Sequence, residues 1–247
     1  MRELDPDKSP HEAPTCAVVG AGRLGTVLAR ALGAPALTRE DAVPDDVDVL
    51  LLTVPDGKIA EVASTMPQGP LLGHCSGATG LDVFGEREGF SLHPLMSTPH
   101  GASPDVLKGA GAAIDGTTET ALATARQLAE RLQMRATHVK PEDRVAYHAA
   151  GAIAANFLVA LEACAERLAQ TAGITRAQLA PLVLATAHQW AELGPEQALT
   201  GAIARGDDVT TRKHREVVEQ RTPEILALWD ELAEATRAVA GRRSWTA

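Results

Sequence analysis

The sequence predicts an α/β chain in two parts, a doubly wound parallel sheet followed by an all-α domain, and three observations carry that expectation. A β-branched run leads straight into a glycine-rich turn that opens a helix. Strand, loop and helix then alternate without hairpin signals, and after Pro141 the alternation gives way to helical periodicity throughout. The expected boundaries are a disordered leader over 1–14, a nucleotide-binding domain over 15–139 and a helical substrate and dimerisation domain over 140–247.

The leader is polar and proline-rich and lacks the apolar segment of a signal peptide. Residues 15–19 form the first expected strand, and 26–32, ending at Gly33, the first helix. A very short strand over 35–37 follows. Residues 47–54 are nearly all β-branched or leucine, the mark of a parallel strand buried on both faces. Pro55, Asp56 and Gly57 end it, with Asp56 as the expected N-cap of a helix over 58–65. Further strands are expected over 71–75, 91–95 and 112–115, then a helix over 117–133. Beyond Pro141, helices over 142–170, 176–192, 209–220 and 223–240 are punctuated by Gly173, Gly194 and Gly206.

Composition narrows the function. In 247 residues the net charge is -9 and the pI is about 5.4, so no basic face for nucleic acid is expected. The longest nearly apolar stretch, 149–161, is interrupted by Gly151 and Asn156 and falls short of the roughly 18 residues that span a bilayer. Three scattered cysteines, Cys16, Cys75 and Cys164, give neither a disulfide framework nor metal-ligand spacing, which fits a reducing cytoplasm and no metal. Aromatic residues are only 3% of the chain, so the core must be built from Ala, Leu and Val. Such a core suits closely packed helices.

The chemistry begins at the first turn. Gly20, Ala21, Gly22, Arg23, Leu24 and Gly25 form G-x-G-x-x-G between a strand and a helix, the context in which the motif binds a dinucleotide. Gly20 allows the tight turn, Gly22 lets the backbone approach a pyrophosphate, and Gly25 lets the helix pack closely. The alternative is a glycine turn that serves packing alone. Thr38 and Arg39 follow the second strand about 18 and 19 residues past Gly20, where an Arg accommodates the 2′-phosphate of NADP. Glu40 and Asp41 stand next to them, and a register one or two residues longer would put a carboxylate on the ribose and favour NAD. Val54, Pro55, Asp56 and Ser76 lie at strand ends that face the same cofactor.

A sheet domain followed by a helical one places a small-molecule substrate in the cleft at the carboxyl ends of the strands. On the first long helix His148, Ala152 and Asn156 are spaced i, i+4, i+8, an arc of some 80° and about 12 Å of rise in an unbroken α-helix. A His and an Asn on a face otherwise lined by alanine and glycine offer a proton donor and an amide for a carbonyl or carboxylate. The alternative is a hydrogen bond between packed helices. Tyr147 and Phe157 beside them should point elsewhere. Ser76, His74 and His93 follow strands and divide between site and structure, as do Thr200 and Arg205, which could hold an anion on a glycine-punctuated loop. His100, His138 and His188 belong to no constellation, and Cys75 reads as a core thiol.

Several stretches, VVGAGRLGTVLARAL, LLLTVPDGKI, GHCSGATGL, SLHPLMS, DRVAYHAAGAIAANFLVAL and LTGAIARGDDVTTRKH, resemble the Rossmann-like proteins with a DUF2520 C-terminal domain. These are distant relatives of ketopantoate reductase, pyrroline-5-carboxylate reductase and 6-phosphogluconate dehydrogenase-like enzymes. The resemblance implies a pyridine-nucleotide oxidoreductase and a homodimer through the helical domain; with Arg39 it leads to the expectation of an NADP(H)-dependent reductase acting on a C=O or C=N of a small anionic metabolite such as ketopantoate. The related ketopantoate reductases carry a catalytic Lys with a nearby Asn on the corresponding helix. Here His148 stands where the Lys is expected, while Asn156 remains. A nucleotide-binding regulator without chemistry is the alternative. SLHPLMS also resembles the His-Pro-Met stretch of prephenate dehydrogenases, although few aromatic residues are present to bind a ring.

Overall fold

The computed structural model describes residues 13–242, so most of the expected leader lies outside the described residues. Two compact units divide the chain, Met1–Ala155 and Asn156–Ala247.

In the first unit the elements run β1 (Cys16–Val19), α1 (Arg23–Leu32), β2 (Ala36–Leu37), β3 (Val49–Leu52), α2 (Ile59–Thr65), β4 (Leu71–His74), β5 (Gly89–Pro94), β6 (Gly111–Gly116), α3 (Glu119–Arg131), β7 (Arg135–His138) and α4 (Arg144–Ala152). The seven strands form one sheet in the order β2-β1-β3-β4-β5-β6-β7. The chain leaves β1 for β2 on one side and returns as β3 on the other, and that reversal is the topological switch point at which doubly wound sheets bind ligands. Leu51 packs with Val18, Leu28, Phe90 and Leu128 on one face. Its neighbours Leu50 and Leu52 pack with Ile59, Leu72 and Phe84 on the other. The period-2 alternation of a strand thus feeds two apolar layers, which is why β3 carries no polar residue.

The structure corrects the expected elements in three places. β5 and β6 pair antiparallel, His93 opposite Ala113: residues 95–110 between them contain a 3-10 turn, Pro104–Leu107, but no α-helix of the kind that usually carries a parallel crossover. β7 was not expected: Arg135, Ala136, Thr137 and His138 form a short, largely exposed edge strand with no apolar alternation to mark it. Asp56 caps no helix, since it opens the 3-10 turn Asp56–Lys58 and makes no capping hydrogen bond.

The second unit contains α5 (Leu158–Gln170), α6 (Arg176–Leu193), α7 (Pro195–Ala198), α8 (Asp208–Arg221) and α9 (Leu226–Arg242). Thr175 and Gln178 form a reciprocal capping box that starts α6, and Asp207 caps α8 by accepting from the Thr210 N–H at 3.0 Å. Gly173, Gly194 and Gly206 all adopt positive φ, as expected of helix breakers. Between α4 and α5 the residues Ile153–Phe157 form a π turn. Its wider ring invalidates α-helical arithmetic beyond Ala152, so the arc assigned to Asn156 does not hold. Pro141–Gln170 as a whole is long and apolar enough, by length and composition alone, to cross a membrane; a count of consecutive apolar residues had not foreseen this. Val159, Leu182, Leu184 and Trp190 are all exposed.

Candidate functional site

Parallel pairing sets the edge on which the site forms. Val19 lies level with Leu52, Leu52 with His74, and His74 with Ser91. The residues that follow, Gly20, Thr53, Ser76 and His93, therefore emerge along one carboxyl edge.

The glycine turn is built by exclusion. Gly20 adopts φ +116°, and a Cβ there would lie 2.9 Å from both Oγ1 and the carbonyl oxygen of Thr53. A Cβ on Gly25 would lie 1.9 Å from the Gly20 carbonyl oxygen. Only glycine lets α1 start this close to the strand ends. Thr53 clamps the turn by donating its hydroxyl to the Gly20 carbonyl at 2.8 Å; the sequence reading passed over it, although a Thr closing an otherwise apolar strand was the available signal. Gly22 caps α1 without a side-chain hydrogen bond, and no carboxylate stands in the first turn, which includes Arg23 and Leu24. The N–H groups at this helix end are free of side-chain competition and suit a pyrophosphate. Thr38 and Arg39 are exposed after β2. The Asp41 carboxylate accepts from the Thr38 N–H at 2.7 Å and from its hydroxyl at 2.6 Å, and these bonds hold it below the usual carboxylate range. Val54 is half-buried, while Pro55 and Asp56 are exposed at the end of β3.

The second turn, 76–80, is braced from beneath. His74 is fully buried; its Nδ1 accepts from the Ser76 N–H and its Nε2 contacts the Gly80 carbonyl, both at 3.2 Å. That pattern requires a neutral ring with its proton on Nε2. Burial lowers the His74 pKa to about 4, in agreement. Ser76 is also buried, and its hydroxyl accepts from the Ala78 and Thr79 N–H groups at 3.3 and 2.9 Å. Both residues are thus committed to holding Gly77 in place.

Gly77 meets two imidazoles. A Cβ on it would lie 2.6 Å from Cδ2 of His148 and 2.9 to 3.0 Å from Cε1 and Nε2 of His93. The two rings stand edge to face with centroids 6.0 Å apart. Burial, first, and the neighbouring His148 lower the His93 pKa to about 4, whereas His148 is exposed. α4 is fixed along β5 and β6 by Arg144, a buried residue the sequence reading did not single out. One of its guanidinium nitrogens donates to Ser91 Oγ at 2.7 Å and to Asp115 Oδ2 at 3.2 Å. His138 reaches the other oxygen of Asp115 at 3.2 Å, so it does belong to a constellation. Tyr147, expected to point away, reaches His93.

In the second unit, Asn156 lies in the π turn and is exposed. Thr200 and Arg205 flank positive-φ Gly201 on one loop, with Arg205 closing the 3-10 turn Ile203–Arg205. Among the described residues no group of three or more His, Cys, Asp or Glu is arranged to hold a metal. All three cysteines are free, and burial pushes the Cys16 thiol up to about 11. A cavity of about 530 Å³ lies at the other sheet edge, lined by Asp115, Thr118, Glu119, His138, Lys140 and Glu142. Its mixed charges and its distance from Gly77 along β5 separate it from the site.

This is a Rossmann-type sheet carrying its glycine turn at the switch point. The family described as "Domain of unknown function (DUF2520)" matches residues 111–236, just over half of the chain, and the chain belongs to it. Among solved structures it is similar to a Bacteroides fragilis protein provisionally assigned as an NADP oxidoreductase, with 21% identity over 91% of this chain and 98% of that one and a TM-score of 0.76. A Thermotoga maritima protein shares 25% identity over 93% of this chain and 100% of that one, with a TM-score of 0.75. The 1-pyrroline-5-carboxylate reductase of Streptococcus pyogenes shares the fold at 13% identity, covering 91% and 98%, with a TM-score of 0.57. No curated protein matches the chain.

Proposed function

We propose that this protein is an NADP(H)-dependent oxidoreductase that reduces a C=O, or a C=N, of a small anionic metabolite, with a 2-keto acid such as ketopantoate as the leading substrate. The observation that carries the reading is the shared sheet edge: a glycine turn open to a pyrophosphate at Gly20, Gly22 and Gly25, and the imidazoles of His93 and His148 against Gly77. The Bacteroides neighbour's provisional assignment supports the cofactor, and the pyrroline carboxylate reductase supports including imines.

In this reading Arg39 and Thr38 take the 2′-phosphate. The Asp41 carboxylate, which would otherwise favour NAD, is already engaged by Thr38. The bound nicotinamide supplies the hydride. His148 protonates the product oxygen or nitrogen, and His93 beside it at Gly77 hydrogen-bonds the same atom. Ser76 contributes through the turn it holds.

The test is NADPH oxidation, followed by absorbance, with the full chain and a panel of 2-keto acids and cyclic imines. Turnover is expected, with His148→Ala losing about 100-fold or more in kcat at unchanged cofactor affinity. Binding of NADPH without oxidation across the panel would overturn catalysis and leave a nucleotide-binding regulator.

We also propose a cytoplasmic homodimer through the helical unit. Leu182, Leu184 and Trp190 on α6 and Val159 on α5 are 60 to 70% exposed, an apolar surface that a second copy would cover. Glu162, Glu166 and Arg167 interrupt it along α5, which favours a protein partner over lipid. Sedimentation should give twice 25.9 kDa, and Leu184→Glu should shift the mass to the monomer; a monomeric wild type would refute the dimer.

A further inference from the structure

The surroundings of the Tyr147 phenol define what it does. Its hydroxyl lies 3.0 Å from Nδ1 of His93 and 3.3 Å from the carbonyl oxygen of the same residue. The two rings meet edge to face at 86°, centroids 5.5 Å apart. That carbonyl sits within the β5–β6 pairing, where His93 faces Ala113, whereas Nδ1 has no other hydrogen-bond partner among the described residues. The nearer, unengaged nitrogen is the better acceptor for the single hydroxyl proton. Burial raises the phenol pKa, so the group keeps that proton and stays a donor. Burial also keeps the His93 ring neutral at neutral pH, with its pKa lowered to about 4, and a neutral ring has one N–H to place. If Nδ1 accepts, the N–H is on Nε2, the nitrogen 3.0 Å from the Cβ position of Gly77.

We propose that Tyr147 is a positioning residue: its hydroxyl donates to Nδ1 of His93 and thereby holds the His93 Nε2–H towards Gly77, as a hydrogen-bond donor to the carbonyl oxygen or imine nitrogen under reduction. No proton leaves His93 in this role. The neutral N–H stabilises the charge that builds on the accepting atom as hydride arrives, and the proton that neutralises it comes from His148. The substrate end of this inference rests on the oxidoreductase reading; the hydrogen bond itself does not.

Long-range proton–nitrogen correlation spectra of the full chain with nitrogen-15-labelled histidine test it, paired with kinetics of Tyr147→Phe, which removes the hydroxyl and keeps the ring. In the wild type, Nδ1 of His93 should show the shift of a bare acceptor nitrogen and Nε2 that of a protonated one. In Tyr147→Phe the two shifts should move towards each other as the tautomers mix. With NADPH and a turned-over substrate, kcat should fall about 10- to 100-fold, the usual cost of losing the group that orients a functional imidazole, with KM and cofactor affinity nearly unchanged. A wild-type proton on Nδ1, shifts unaltered in Tyr147→Phe, or altered shifts with unaltered kcat would each overturn the proposal. Shifts as expected in a protein that reduces nothing would keep the hydrogen bond and overturn the oxidoreductase reading instead.

Discussion

Each unit of the protein contains an Arg–Asp pair, and the longer of the two is the one that matters for stability. Arg144 and Asp115 are 3.2 Å apart with side chains 5% and 9% exposed. Arg215 and Asp230, between α8 and α9, approach to 2.8 Å with side chains 43% and 45% exposed. In water the second pair gains little over its hydrated, separate ions. The first is buried, so the loss of either member would leave the other without its counter-charge where water cannot replace it. The same contrast runs through both units. The first buries an apolar layer on each face of its sheet and uses buried polar groups to hold turns; the second leaves leucine, valine and tryptophan on its surface.

Removing one partner from each pair tests that contrast most strongly. Arg144→Ala should lower unfolding stability by about 3 kcal/mol, because the buried Asp115 loses its guanidinium and Ser91 its donor, and should loosen α4, which Tyr147 still ties to β5. Arg215→Ala should leave the denaturation midpoint unchanged. Equal effects in the two variants, read by chemical denaturation, would mean that burial does not set what these pairs contribute.

Acid supplies the next largest effect. The folded-state pKa of His74 is lowered to about 4, against roughly 6.5 in an unfolded chain. Between those values the unfolded state binds the proton and the folded state does not, so stability is lost as pH falls through that window and is fully present above it. The contribution of this ring is on the order of 3 kcal/mol. His74→Gln, which does not titrate, should show a shallower decline from pH 7 to pH 4.5. A slope identical to wild type would exclude His74 as the titrating group.

A smaller change tests the turn. Thr53→Val removes the hydroxyl that clamps Gly20 and should cost about 1 kcal/mol, together with weaker cofactor binding measured by fluorescence. Full retention of both would mean that the glycines hold the turn unaided.

Much of the first unit was legible because glycine and periodicity have local causes. Gly20, Gly22 and Gly25 announced the turn and Gly33 the end of α1, as Gly173 and Gly206 announced breaks between helices in the second unit. β7 and the antiparallel β5–β6 pair escaped, since a four-residue edge strand has no pattern and strand direction depends on what the intervening loop can span. At the site, His93 and His148 were chosen individually; that both meet at Gly77 is a consequence of α4 lying along β5. Arg144 and Tyr147 sit on that same helix one turn and one residue from His148, but their partners Ser91, Asp115 and His93 are more than 25 residues away in sequence. The π turn was invisible to any fixed helical period. Exposure of α5 and α6 was likewise hidden, because an apolar helix reads the same whether its cover is its own chain or another.

Calorimetric titration of NADPH and NADH into the full chain, with Gly25→Val alongside, measures whether the 20–25 turn binds NADP(H). Saturable binding with NADPH preferred is expected, with loss of that binding in Gly25→Val, whose side chain would collide with the Gly20 carbonyl oxygen. Absence of binding in the wild type, or undiminished binding in the variant, would contradict that role for the turn.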